Sequence, residues 1–145
     1  YAMTYEYASE NYQEELDKID ELSFYLIELL KNENYIVILR GDLASGKTTL
    51  VKNYLKALNL DDLVTSPTFS LQAIYSENIF HYDVYNKTLN EFISLGMLEE
   101  FEKDGTHFVE WGDEKLEEIL KDYGYNVILI EIEKKDNKRL YKINA

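Results

Sequence analysis

With 145 residues, 46% apolar side chains and a formal charge of −13, the chain suits one globular domain, and its acidity argues against gripping nucleic acid unaided, since phosphate backbones are held by excess Lys and Arg. No cysteine and only two histidines exclude disulfides, thiolate catalysis, Cys-based zinc sites and a His-rich metal cluster, leaving oxygen donors of the kind that hold Mg²⁺. No apolar run nears the roughly 18 residues that span a bilayer, and no signal peptide is visible, so a cytoplasmic protein without membrane contact is expected.

Tyr1-Ala2, ahead of Met3, reads as a vector remnant, and one domain is expected over residues 3–145. Thr4 to Ala8 alternates weakly, as a short strand does. Ser9 offers an N-cap, and Leu16, Ile19, Leu22, Leu26, Leu29 and Leu30 recur at helical spacing, predicting an amphipathic helix from about Asn11 to Lys31. After the turn Asn32-Glu33-Asn34, the apolar run Tyr35 to Leu39 predicts a central strand covered on both faces.

The octet Gly41-Asp42-Leu43-Ala44-Ser45-Gly46-Lys47-Thr48 comes next, followed by a helical pattern from Thr49 to about Asn59. It fits G-x-x-x-x-G-K-[ST] between a strand and a helix, the context a phosphate-binding loop requires. A loop entering a helix N-terminus aims several backbone N–H groups at one point, Lys47 would reach the β- and γ-phosphates, and the Thr48 hydroxyl would serve Mg²⁺. Gly41 and Gly46 leave room for close approach.

Pro67, the one proline, fixes a corner at Ser66-Pro67-Thr68-Phe69. Thr68 is either a γ-phosphate sensor or a residue chosen for β-propensity. Phe69 to Tyr75 and Ile79 to Tyr85 read as an antiparallel hairpin turning at Ser76-Glu77-Asn78. On its second strand His81, Asp83 and Tyr85 share one face, which either meets solvent or lines the site.

Leu89 to Lys103 is helical with a break at Gly96. Thr106 to Gly112 is a strand closing in Glu110, as in a Walker B element, where a carboxylate meets the water shell of Mg²⁺. Trp111 either stacks near a base or packs. Asp113 caps a helix through Asp122, and Tyr125 to Glu133 with Arg139 to Ile143 forms a hairpin around Asp136-Asn137. The acidic stretches Glu14 to Glu21 and Glu99 to Glu118 are solvated helix faces or a docking surface for a basic partner.

Together, Gly-Asp-Leu-x-x-Gly-Lys-Thr-Thr at 41–49, Ser-Pro-Thr-Phe at 66–69, His-Tyr-Asp-Val-Tyr at 81–85 and Glu-Trp-Gly at 110–112 resemble the TsaE family, also called YjeE, over about Asn11 to Tyr125. The resemblance implies a single-domain α/β fold of the P-loop NTPase type, with a mixed, partly antiparallel central sheet flanked by helices. It implies binding of ATP/ADP and Mg²⁺ and an ATPase acting with TsaD and TsaB in threonylcarbamoyladenosine modification of tRNA, which it meets only through that complex. Carried over, residues 41–48 with Thr49 and Trp111 lie at the nucleotide, and Lys47 serves the phosphates. Thr68 is a switch-like sensor, Asp83 is a catalytic or metal-associated carboxylate, and Thr48 and Glu110 lie at the metal. Two departures stand out: the family usually has a further loop glycine where this chain has Ala44 or Ser45, and Asn86 replaces a common arginine.

Phosphoryl transfer often draws on an arginine. The chain has two, Arg40 just before the loop and Arg139 far away in sequence, which predicts weak hydrolysis alone and help from a partner. A P-loop small-molecule kinase, or a non-catalytic adaptor whose 66–69 corner is ordered by nucleotide, are the alternatives.

Overall fold

A computed structural model describes residues 2–8, 12–42, 46–67, 70–135 and 138–144, and side chains over 17–42, 46–67, 70–134 and 139–144. The elements in chain order are β1 (Ala2–Ala8), α1 (Tyr12–Leu30), β2 (Tyr35–Arg40), α2 (Lys47–Ala57), β3 (Gln72–Tyr75), β4 (Ile79–Asp83), α3 (Leu89–Ser94), α4 (Met97–Glu100), β5 (Thr106–Glu110), α5 (Glu114–Asp122), β6 (Asn126–Lys135) and β7 (Lys138–Asn144). The strands form one seven-stranded sheet in the order β1-β7-β6-β2-β5-β4-β3. The inner pairs β6–β2, β2–β5 and β5–β4 are parallel, and the outer pairs β1–β7, β7–β6 and β4–β3 are antiparallel. This is the mixed sheet expected.

β2 lies in the middle of that order because its side chains are apolar on both faces. Val37 and Leu39 enter one core with Leu22, Leu26 and Leu30 of α1 and Leu50, Val51 and Leu55 of α2. Ile36 and Ile38 enter the other, with Phe92, Phe101, Leu116 and Leu120 from the helices α3 to α5 and the segment after α4. The 3.6-residue spacing of the α1 leucines aims Leu22, Leu26 and Leu30 at the same sheet face. Truncating one of them, such as Leu26, costs about 2–5 kcal/mol.

Ala2, set aside in sequence as part of a vector remnant, pairs with Asn144 in β1. Of the expected strand at Phe69 to Tyr75, Phe69 lies outside the described residues and the strand runs from Gln72, just after Leu71, whose N–H bonds Pro67 O at 2.8 Å. Its partner ends at Asp83, two residues short of Tyr85. The connection at Ser76–Asn78 is a 3-10 segment with Glu77 and Asn78 at positive φ. Ser9, Asn11 and the Asp136-Asn137 turn lie outside the described residues, although Lys135 and Lys138 pair on either side of that turn.

Register positions the site. Leu39, Glu110 and Asp83 lie in one row across β2, β5 and β4, at the C-terminal ends of three adjacent parallel strands. In open α/β sheets this edge is where ligands bind.

Candidate nucleotide site at the strand ends

The path from β2 to α2 leads to this edge. Gly46 takes φ 109°, ψ 21° immediately before α2, a backbone state that glycine adopts without strain. Lys47 is buried; its Nζ donates to Gly41 O at 2.7 Å and Asp42 O at 2.9 Å and lies 3.9 Å from the Trp111 ring centroid. Burial lowers the Lys47 pKa, and the nearby Glu110, Asp83 and Asp42 charges oppose that shift. A phosphate group would replace the carbonyl oxygens with a stronger, charged acceptor.

Thr48 Oγ1 donates to Glu110 Oε1 at 3.0 Å and Oε2 at 2.8 Å. The first helical turn after the loop is thereby joined to the end of β5. Glu110 is buried, and its Oε2 also meets His81 Nε2 at 2.5 Å, while His81 Nδ1 meets Tyr75 Oη at 2.8 Å. A carboxylate accepts, so Nε2–H donates and Nδ1 accepts from the phenol. Burial raises the Tyr75 pKa to about 12, which keeps that hydroxyl a donor. The polar face of β4 therefore turns inward at His81 and Asp83, both buried, while Tyr85 is exposed with its ring centroid 4.8 Å from that of Trp111.

Asp83 Oδ2 accepts from Ser66 Oγ at 2.5 Å and Oδ1 from Tyr85 N at 3.0 Å. The corner before Pro67 thus touches the site through Ser66. His81 and Ser66 are additions to the expected residues. The two-residue step from His81 to Asp83 carried a signal for the first, whereas Ser66, seventeen positions from Asp83, carried none.

Thr49 is exposed on α2, and Asp42 is exposed at the loop entry. Leu43, Ala44, Ser45 and Thr68 lie outside the described residues. Gly112 follows Trp111 because a Cβ there would come within 2.9 Å of Ile38 Cγ2. Trp111 itself has φ 71°, and its N–H continues the ladder to Leu39 O at 3.1 Å. Two open clefts flank Gly41 and Asp42, one of ≈ 510 Å³ bounded by Glu131 to Lys134 and one of ≈ 340 Å³ bounded by Trp111 to Glu114.

The two arginines lie differently in space from their order in sequence. Arg40, next to the loop in sequence, donates from Nε to Gly112 O at 3.0 Å and pairs with Glu117 at 3.2 Å. Arg139, remote in sequence, lies against Gly46: a Cβ on that glycine would be 2.9 Å from Nη1. Asn86 is exposed at φ 58°, a conformation that asparagine tolerates better than most residues.

Among the described residues no group of three or more His, Asp or Glu side chains forms a metal cage. Mg²⁺ does not need one: it takes one or two carboxylates, a hydroxyl, water and substrate phosphates. Glu110, Thr48 and Asp83 are hard oxygen donors of that kind, so the donor set fits.

The chain is similar to known proteins along most of its length. Residues 13–141 match the family model described as "Threonylcarbamoyl adenosine biosynthesis protein TsaE". A Treponema pallidum protein of that name is 37% identical over 93 residues, covering 62% of this chain and 69% of the relative. A Bacillus subtilis protein of the same name is 37% identical over 79 residues, covering 52% of this chain and about half (49%) of the relative's length. The crystal structure of Bacillus subtilis YdiB superposes with a TM-score of 0.64 at 23% identity, over 100% of this chain and 87% of that one, which supports the P-loop NTPase-like fold. With the family model spanning both phosphate-loop and Glu-Trp-Gly segments, the chain belongs to the TsaE family of threonylcarbamoyladenosine biosynthesis proteins.

Proposed function

We propose that the chain binds ATP with Mg²⁺ and hydrolyses it as the ATPase component of the machinery that forms threonylcarbamoyladenosine in tRNA, acting with TsaD and TsaB and meeting tRNA only through them. The observation that carries the nucleotide part is the bond from Thr48, at the start of α2, to Glu110, at the end of β5. It joins a phosphate-loop hydroxyl to a strand-end carboxylate, the pairing that P-loop enzymes use to hold Mg²⁺. Bound there, Mg²⁺ neutralises charge on the phosphate oxygens.

The protein groups divide the remaining work. Lys47 exchanges the Gly41 and Asp42 carbonyls for phosphate oxygens. Glu110 is oriented by His81 and holds the metal side together with Thr48. Asp83, fixed by Ser66 and Tyr85 N, orients the attacking water and accepts its proton. The water oxygen bonds to the γ-phosphorus, the bond to the β–γ bridging oxygen breaks, and ADP leaves with that electron pair. Thr68 senses the γ-phosphate, and residues 41–49 with Trp111 hold the nucleotide.

Phosphate release measured with Mg·ATP, for the chain alone and with TsaB and TsaD, tests the proposal. Slow release alone and faster release in the complex is expected. Equal rates would remove the partner role, and no release in either case would remove the ATPase.

A further inference from the structure

Three buried polar side chains cross the α2 face of the sheet on one diagonal. Tyr75 closes the edge strand β3 opposite Ile79, His81 lies one strand period further along β4, and Glu110 lies on β5 opposite Asp83, one period further again. Each step moves one strand inward and two residues towards the strand ends. Diagonal neighbours on a sheet lie about 7–8 Å apart, within reach of long and aromatic side chains. The hydrogen bonds follow the same line: Tyr75 Oη meets His81 Nδ1 at 2.8 Å, and His81 Nε2 meets Glu110 Oε2 at 2.5 Å. Around them the face is apolar, with Val37, Leu39, Ile79 and Phe108.

A polar row in such a core is costly unless every member is satisfied. The imidazole needs a proton on Nε2 for the carboxylate and a donor for Nδ1, and the phenol is that donor. Its one O–H could otherwise turn only to Thr65 O, which lies at 3.5 Å, the limit of a hydrogen bond. With both nitrogens held, the ring cannot turn about its bond to Cβ without breaking both bonds. Nε2–H therefore stays aimed at Oε2, and Glu110 keeps the orientation in which Thr48 also reaches it. The second histidine of the chain supplies the contrast. His107 has a phenol on Nδ1 too, Tyr82 Oη at 2.7 Å, but its Nε2–H ends on the backbone at Lys103 O, before β5 begins. One tyrosine–histidine pair closes on the backbone, and the other closes on a carboxylate at the strand ends.

We propose that Tyr75 is a positioning residue for the metal side of the site: from the sheet edge it fixes His81, and through His81 it holds Glu110 in the geometry that takes Mg²⁺. This rests on the ATP and Mg²⁺ reading above and adds a residue that lies outside the four sequence motifs.

Calorimetric titration with ADP, once in excess Mg²⁺ and once in EDTA, reads the gain in affinity that the metal contributes. Wild type, Tyr75→Phe and Tyr82→Phe are compared, with melting curves to confirm folding. Tyr75→Phe should shrink that gain about five- to tenfold, as loss of one buried hydrogen bond predicts, and leave the affinity in EDTA within about twofold of wild type. Tyr82→Phe removes the same kind of bond from His107 and should leave both affinities at their wild-type values. An unchanged gain in Tyr75→Phe, or equal losses in the two Phe variants as a general weakening of the fold would give, overturns the assignment. A second readout needs neither variant nor ligand at Tyr75 and stays decisive should Tyr75→Phe not fold. In a long-range proton–nitrogen correlation spectrum of the metal-free chain, with its two histidines told apart by His107→Phe, His81 should carry its proton on Nε2 and have a bare Nδ1. A proton on Nδ1 alone would mean that the phenol does not donate there, and overturns the assignment. The two levels separate: wild type that fails to bind ADP, or binds it equally with and without Mg²⁺, overturns the nucleotide and metal reading itself, whereas a metal-dependent gain that survives intact in Tyr75→Phe overturns only the role of Tyr75.

Discussion

The two sides of the phosphate loop are built differently. On the β4–β5 side, Glu110 and Asp83 are buried and held by Thr48, His81 and Ser66 in a hydrogen-bonded network. On the β6–β7 side, a hairpin rich in basic residues extends past the last pair with β2 beside an open cleft of ≈ 510 Å³ at Gly41 and Asp42. A buried network is rigid because each member's removal strands a polar partner. An overhanging hairpin adds charge at little cost to the core. The carboxylate side is thus suited to fixing geometry, whereas the hairpin side carries mixed charge, with Asp42, Glu131 and Glu133 lining the cleft beside Arg40 and Lys134.

The largest effect that would break this contrast is Lys47→Ala. It should lower ATP affinity at least a hundredfold with a smaller effect on melting temperature, since the partners of Lys47 include two loop carbonyls, which a phosphate would replace. Unchanged affinity by calorimetry would remove Lys47 from the site.

Asp83→Ala comes next. The ATPase reading expects turnover to fall about a hundredfold or more while nucleotide binding survives; full turnover and full support of modification would favour an adaptor.

His81→Ala probes the network behind the carboxylates. It leaves Glu110 and Tyr75 each short of a buried partner, so stability should fall by about 1–3 kcal/mol in denaturant unfolding and hydrolysis should fall with it. An unaltered denaturation midpoint would mean that the network is not what holds Glu110.

The smallest effect is one of pH, at a histidine away from the loop. His107 Nε2–H donates to Lys103 O at 2.8 Å, and Nδ1 accepts from Tyr82 Oη at 2.7 Å, which satisfies a neutral ring. Burial lowers its pKa below the ordinary value of about 6.5. Below that value the unfolded chain takes up a proton that the folded chain resists, so stability falls as pH drops from 6.5 towards the folded pKa and is fully present above it. His107→Phe should flatten the melting-temperature profile between pH 7 and 5, and a profile as steep as wild type would exclude this cause.

Much of the carboxylate side was legible in sequence because its signals are local. Glu110 ends an apolar strand, Asp83 follows His81 by one strand period, and Gly46-Lys47-Thr48 opens a helix. Whether the His81 face turned to solvent or to the site was not legible, since alternation fixes which residues share a face and only packing decides what that face meets. Ser66 and Arg139 were illegible for a further reason: each reaches the site across a long sequence separation, and loop closure leaves no periodic trace.

By itself, then, the sequence determined most of the elements, the apolar central strand and the helix that opens at Gly46-Lys47-Thr48, because propensity, hydrophobic period and turn chemistry act over a few neighbours. Tertiary structure alone decided that Leu39, Glu110 and Asp83 share a row, that Arg40 is spent on α5 and that Arg139 comes to Gly46. Those facts depend on strand order, register and overhang, which are set by the packing of the whole sheet.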